Sequence, residues 1–271
     1  MGSVLSKAMR SMELVKGFIR LVGDDPEYRR FPRWYAQHGS WIPRFRDSFA
    51  GEDCFLIGNG PSLNQVELPR LNDYHCIGLN KIHLLLERVP LRLAFHVAVN
   101  PLVIEQSWNE FMKLDCPSFL SYEPAKGHVK GSHNIYYLLT EHRIAPRFSR
   151  IYDEAVWEGW TVTYVALQLA YFMGFRNVFL IGVDHVFKVN GKPNEQQDLA
   201  SDDANHFDPR YFSGCAWHLP DLEASESSYS MARFAFERSG RRILDATVGG
   251  RCQVFPKIDI SEAFKVCKTR S

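Results

Sequence analysis

Cys54-Phe55-Leu56-Ile57-Gly58-Asn59-Gly60-Pro61-Ser62-Leu63 decides the fold. The first four residues form an apolar run without polar alternation, which suits a strand buried on both faces of a parallel sheet. Gly58-Asn59-Gly60 reads as a turn that lets backbone approach whatever lies beyond the strand. Pro61 suits the first helical position, where its missing N–H costs nothing. Strand, glycine turn and helix start together can face backbone N–H groups and a helix dipole toward an anion. The segment is neither a dinucleotide fingerprint, since Leu63 replaces the third glycine, nor a Walker A loop, since no Gly-Lys-Ser/Thr follows. A tight turn with no ligand fits the same residues.

Outward from this stretch the same grammar repeats. Strands are expected over residues 75–79, 93–99, 118–121, 134–139, 177–183 and 242–248. Helices are expected over 63–71, 104–114, 160–175 and 222–238, the third closed by Gly174. Residues 188–220 are polar, rich in Asn, Asp and Pro, and read as a long loop of the kind that serves as a lid. Alternating strand and helix implies an α/β, Rossmann-like parallel sheet with helices on both faces. The organisation expected is a helical extension over 1–50, a nucleotide-binding core over 51–187, a lid loop over 188–220, and a helix and strand over 221–271 that complete the core. Ligands of such sheets bind beyond the carboxyl ends of the strands. Asn59, Asn80, Asn100 and Asp184 all follow expected strands, so they fall on one rim.

Composition narrows the partners. With 271 residues, 45% hydrophobic content and a formal charge of +1, the chain suits a large α/β domain and lacks the basic excess of a general nucleic-acid binder. Six dispersed cysteines without a CxxC pair fit a reducing cytoplasm and no structural zinc. No apolar run reaches the roughly 20 residues that span a bilayer. The first fifty residues differ. From Lys7 to Arg46 nine basic residues face four acidic ones, a local charge of +5. Met9, Met12, Val15, Ile19 and Val22 recur at helical spacing, and Phe31, Trp34, Tyr35, Trp41 and Phe45 follow among arginines. Such a start can lie on an anionic membrane at the inner face through residues 1–46, or pack on the main domain with a solvated basic face. Met1–Ser6 also fits the loose N-myristoylation pattern, short enough to arise by chance.

GNGPSL, the strand ending at Asn80, Asn100-Pro101 and TVTYVALQLAYFMGFRNVFLIGVDH together resemble the MptE-like family. That family includes archaeal 6-hydroxymethylpterin diphosphokinases and the motility-associated-factor flagellin glycosyltransferases. The layout also resembles bacterial CMP-sialic-acid sialyltransferases, which have a modified Rossmann fold and a mobile lid. The likeness spans roughly residues 51–260. It implies that Gly58, Asn59, Gly60, Pro61 and Ser62 form the nucleotide-phosphate turn. Asn80, Asn100, Thr161, Thr163 and Asp184 then complete the nucleotide site, with His218 as general base. Two departures stand out: Val186 replaces a lid tyrosine, and Val162-Thr163 replaces a Ser-Gly. His206 and Tyr211 are the lid candidates, His206 also as a second candidate for the base and Tyr211 for the leaving phosphate.

The chemistry implied is inverting transfer of an acidic sugar from a CMP-linked donor to a glycan or protein acceptor, with no metal cofactor. A monophosphate leaving group carries less charge than a diphosphate, and helix N-termini and hydroxyls can stabilise it. A histidine suits removal of the acceptor's proton. The alternative is a diphosphokinase acting on a hydroxymethylpterin with ATP, its Mg²⁺ clamped by Asp184, Asp202, Asp203 or Asp208. A second alternative is a nucleotide-binding protein without catalysis.

Overall fold

A computed structural model of the chain describes residues 26–129, 132–142, 146–150, 155–188, 191–200 and 202–270. The amphipathic helix expected from Met9 to Val22 and the pattern at Met1–Ser6 lie outside them. The chain divides into two compact units, Met1–Trp41 and Ile42–Ser271. In the first, helix α1 (Pro26–His38) runs into a 3-10 turn at Gly39–Trp41. Its Phe31 ring lies 5.9 Å from Trp34 and 5.8 Å from Tyr35, the contacts that helical i,i+3 and i,i+4 spacing makes.

The second unit begins with a short helix α2 (Ile42–Phe45), whose Phe45 ring stands edge-on to Phe119 and Tyr136 at 5.2 and 5.1 Å. Phe45 is therefore core, and the boundary lies nearer residue 41 than residue 50. The strands β1 (Asp53–Ile57), β2 (His75–Leu79), β3 (Phe95–Ala98), β4 (Ser118–Ser121), β5 (Ile135–Leu138), β8 (Asn177–Ile181) and β11 (Arg242–Asp245) form one sheet. All its pairings are parallel, in the order β11-β8-β1-β2-β3-β4-β5. Two short strands, β6 (Thr140–Glu141) and β7 (Val156–Trp157), pair separately. The main helices are α3 (His83–Leu86), α4 (Pro101–Phe111), α5 (Tyr122–Ala125), α6 (Val162–Phe172), α7 (Leu222–Glu237) and α8 (Ile260–Val266).

All five residues of β1 are buried. Phe55 and Ile57 enter a core with Leu63, Tyr74 and Phe264, while Cys54 and Leu56, equally buried, alternate to the other face. Burial on both faces is why β1 reads as an unbroken apolar run. The Asp53 carboxylate at its start is also buried. It accepts from Asn177 N–H at 3.2 Å, Asn177 Nδ2 at 2.8 Å and Lys268 N–H at 3.0 Å, so the charge ties β1 to β8 and to the C-terminal segment.

Two expectations need correction, and one helix is new. Residues 63–71 form no α-helix but two 3-10 segments, Pro61–Gln65 and Leu68–Asp73. Leu68 precedes Pro69, which disfavours α geometry there and breaks the run. The glycine turn therefore does not open onto an α-helix dipole. Residues 188–220 are not simply loop: β9 (Gln196–Leu199) and β10 (Cys215–His218) pair antiparallel, with Trp217 buried. Helix α8 was not expected, although Asp259 caps it by accepting from Ser261 N–H, and Asp259 with Glu262 has capping-box spacing.

Candidate functional site

From β1 the chain runs outward through β2 to β5, then returns to place β8 on the other side of β1. The crevice beyond β1 and β8 is thus the topological switch point, where open α/β sheets bind ligands. A cleft of about 160 Å³ lies there, lined by Gly58, Asn59, Gly60, Asn80, Thr161, Thr163 and Asp184, and also by Trp160, His185, Asn205, His206 and Tyr229. Ligand pockets usually measure roughly 300–1,000 Å³, so a whole nucleotide enters only if the cover moves.

The turn after β1 continues the sheet's pairing. Gly58 N–H donates to Ile181 O and Gly60 N–H to Gly182 O, both at 2.8 Å. A Cβ at Gly58 would stand 2.3 Å from Gly182 O, and one at Gly60 1.9 Å from Asp184 Oδ2, so both glycines answer to close approach. Pro61 opens the first 3-10 segment. Ser62 donates its N–H to Asp184 Oδ1 at 3.0 Å and its hydroxyl to Asp184 Oδ2 at 2.7 Å. The carboxylate thus occupies the donors expected for phosphate. Burial raises Asp184 above the usual carboxylate range, against the lowering effect of the Ser62 bonds.

Asn59 and Asn80 each keep a buried side-chain oxygen with no hydrogen-bond partner among the described residues. Asn80 has φ +47, and its carbonyl is held by His96 Nε2 at 2.8 Å, whose Nδ1 meets Ser118 Oγ at 2.6 Å. Burial lowers His96 to about 3, so the neutral ring donates one bond and accepts the other. Across the cleft, Thr161 caps α6 by accepting from Thr163 N–H at 3.3 Å, and its hydroxyl meets Tyr229 Oη at 3.4 Å. Burial pushes Tyr229 up to about 12. The first turns of both α6, at Thr161 and Thr163, and α7, at Leu222 and Ser225, line the cleft. His185, at φ +57, contacts Glu226 Oε1 through Nε2 at 2.9 Å. Asn80, Trp160 and His185 are three of five described non-glycine residues with positive φ, a clustering of strain found at functional sites.

Asn100 and His218 meet outside the cleft lining. Asn100 Oδ1 caps α4 by accepting from Leu102 and Val103 N–H at 2.9 and 3.3 Å, and its Nδ2 lies 3.4 Å from His218 Nδ1. The covering segment is tied down: Phe207 N–H donates to Asn59 O at 2.9 Å, Lys188 N–H to Asn205 Oδ1 at 2.6 Å, and Gln106 Nε2 to Ala216 O at 2.8 Å. Tyr211 does not reach the cleft. It is fully buried, its hydroxyl accepts from Lys81 N–H at 3.3 Å, its carbonyl from Lys81 Nζ at 2.6 Å, and its ring stacks on His206 at 4.0 Å. The lid role given to it is a core role. His206 does line the cleft, with Nδ1 2.7 Å from Asp203 Oδ2.

The carboxylates of the diphosphokinase alternative are dispersed in their bonding: Asp184 to Ser62, Asp203 to His206, Asp208 to Arg210. Among the described residues no group of three or more His, Cys, Asp or Glu could hold a metal ion. Sequence reasoning missed Trp160, His185 and Tyr229. Of these only Trp160, beside Gly159 at a helix start, carried a local turn signal. Asp203 was named only as a metal carboxylate; its contact with His206, at i,i+3 spacing, was not foreseen.

No family model and no curated protein matches the chain. The likeness to the MptE-like family thus stays with the residues that carry it. Among solved structures, a MAf glycosyltransferase from Magnetospirillum magneticum AMB-1 has the same fold, with a TM-score of 0.53 at 15% identity. The match covers 83% of this chain and 36% of that one, so this chain spans about a third of its neighbour.

Proposed function

We propose that the chain is a glycosyltransferase that moves an acidic sugar from a CMP-linked donor to a glycan or protein acceptor, by inversion and without a metal. The observation that carries the reading is the pair of unpartnered buried oxygens on Asn59 and Asn80 at the switch-point cleft. Buried acceptors without donors are costly. Ribose hydroxyls or the amino group of a base supply donors of the right kind. The leaving phosphate lies between the Gly58–Gly60 turn and the α6 N-terminus at Thr161 and Thr163. Asp184 turns away from Ser62 to release its N–H and hydroxyl. An imidazole from the covering segment, which carries both His206 and His218, takes the acceptor's proton. The solved neighbour's description as a glycosyltransferase agrees with this class. Residues 1–46 hold the protein on an anionic membrane at its cytoplasmic face.

The test is thermal stabilisation by CMP, CDP, UDP, ATP and ATP with Mg²⁺, since a ligand of the native state raises the melting temperature. CMP without metal is expected to stabilise the protein. A shift by ATP only with Mg²⁺ overturns the reading in favour of diphosphoryl transfer. Binding of CMP with no turnover of any CMP-sugar leaves a nucleotide-binding protein.

A further inference from the structure

His206 and His218 are held in opposite tautomers. Asp203 Oδ1 accepts from Asn205 N–H at 2.8 Å, and its Oδ2 meets His206 Nδ1 at 2.7 Å. A carboxylate only accepts, so the proton of the neutral His206 ring sits on Nδ1 and the lone pair on Nε2. No described protein group takes that Nε2. The Asp203 side chain is 1% exposed and that of His206 10%. Stacking on Tyr211 at 4.0 Å and an interplanar angle of 3° fixes the ring plane. His218 is set the other way. The Asn100 oxygen is committed to two helix N–H groups, so its amide nitrogen is the atom facing His218 Nδ1. An amide nitrogen only donates, which leaves Nδ1 as acceptor and puts the His218 proton on Nε2. His206 also borders the cleft, whereas His218 does not.

We propose that His206, oriented by Asp203, is the catalytic base of the cleft, and that His218, outside the lining and protonated on Nε2, is not the base. This assignment depends on glycosyl transfer being the reaction. The acceptor O–H proton passes to His206 Nε2 while the acceptor oxygen bonds to the anomeric carbon. The bond from that carbon to the phosphate oxygen breaks, and its electron pair leaves on CMP. The resulting imidazolium faces the Asp203 carboxylate and later returns its proton to solvent. Asp203 is a positioning residue, since it acts only through the ring.

The test uses the full chain, labelled with ¹⁵N-histidine, and CMP-sialic acid as donor probe with CMP release as readout. The ring ¹⁵N shifts are expected to report Nδ1–H for His206 and Nε2–H for His218. His206→Asn is expected to lower kcat by roughly 10²–10⁴, the range of a general base, with CMP affinity retained. His218→Asn is expected to cost less. Asp203→Asn, which keeps the His206 ring, is expected to change the His206 tautomer signature and lower kcat, and Asp203→Glu to restore part of both. If His206→Asn fails to fold, the Asp203 pair decides. Full kcat in Asp203→Asn or His206→Asn, or an Nε2–H tautomer at His206 in the wild type, overturns the assignment. Absence of CMP release from the wild type instead refutes the reaction on which it depends.

Discussion

Gly60→Ala isolates the contact between the turn after β1 and Asp184. Gly60 has φ −72, a conformation open to any residue, so the backbone needs no strain to accept alanine. The cost is steric: the new methyl would meet Asp184 Oδ2 at 1.9 Å, Asp184 Cγ at 2.4 Å and Gly182 O at 2.9 Å. The carboxylate must swing out, which breaks its bonds from Ser62 N–H and Oγ at 3.0 and 2.7 Å. Hydrogen bonds to a charged group contribute about 1.5–3 kcal/mol each. Part of that returns as the freed carboxylate meets water, so the expected loss is about 3 kcal/mol. For a domain of this size that lowers Tm by roughly 6–12 °C. Urea unfolding followed by circular dichroism measures it, and an Asp184→Ala background completes a double-mutant cycle. In that background the same alanine is expected to cost less than about 1 kcal/mol. An equal cost in both backgrounds, or a change within about 0.5 kcal/mol in the wild type, refutes the argument.

His96 gives a pH dependence. Its folded value is lowered from 6.5 to about 3, so the unfolded chain binds the proton first. Its contribution is complete above pH 6.5 and is lost as pH falls toward 3, at about 1.4 kcal/mol per unit. Stability is expected to drop by about 2 kcal/mol from this group between pH 6.5 and 5, and His96→Gln to flatten the profile by that amount; identical slopes exclude it. Asn80→Gly keeps the left-handed turn while removing the amide, so it is expected to weaken CMP binding about tenfold by calorimetry. Asn80→Ala adds a backbone penalty of about 1–2 kcal/mol, and unaltered CMP affinity in the glycine variant removes Asn80 from the site. Deleting residues 1–41 is expected to lower partitioning onto anionic vesicles, and unchanged partitioning ends the membrane reading. Extending the deletion to residue 46 also removes Phe45, a loss of about 3–5 kcal/mol in unfolding free energy.

The centre of the sheet was legible because its strands are buried on both faces. Apolar runs such as 54–57 and 178–181 leave little choice of structure, and residues 118–121 form β4 at the bounds expected. The segment 63–71 misled because Leu63, Leu68 and Leu71 are all buried, yet 3-10 geometry serves that burial as well as an α-helix does. The hairpin of β9 and β10 was illegible because Gln196–Leu199 has no apolar face; pairing with β10 forms it. The rim residues Asn59, Asn80 and Asp184 could be named from strand ends alone. Their bonding could not: that Asp184 sits on Ser62, or that Asn100 turns its nitrogen to His218, depends on partners 122 and 118 residues away.

The order of strands has a consequence for how the chain emerges during synthesis. Asp53 pairs in register with Asn177, so one edge of the fully buried strand β1 waits for a neighbour made 124 residues later. At roughly 5–20 residues per second on the ribosome, that edge stays open for about 6–25 s. Meanwhile β2 to β5 can assemble against its other side as a half-finished sheet. The nascent protein therefore passes through a stage with a sticky, uncapped border carrying Cys54 and Phe55, and arrival of β8 closes that border and creates the crevice in the same event.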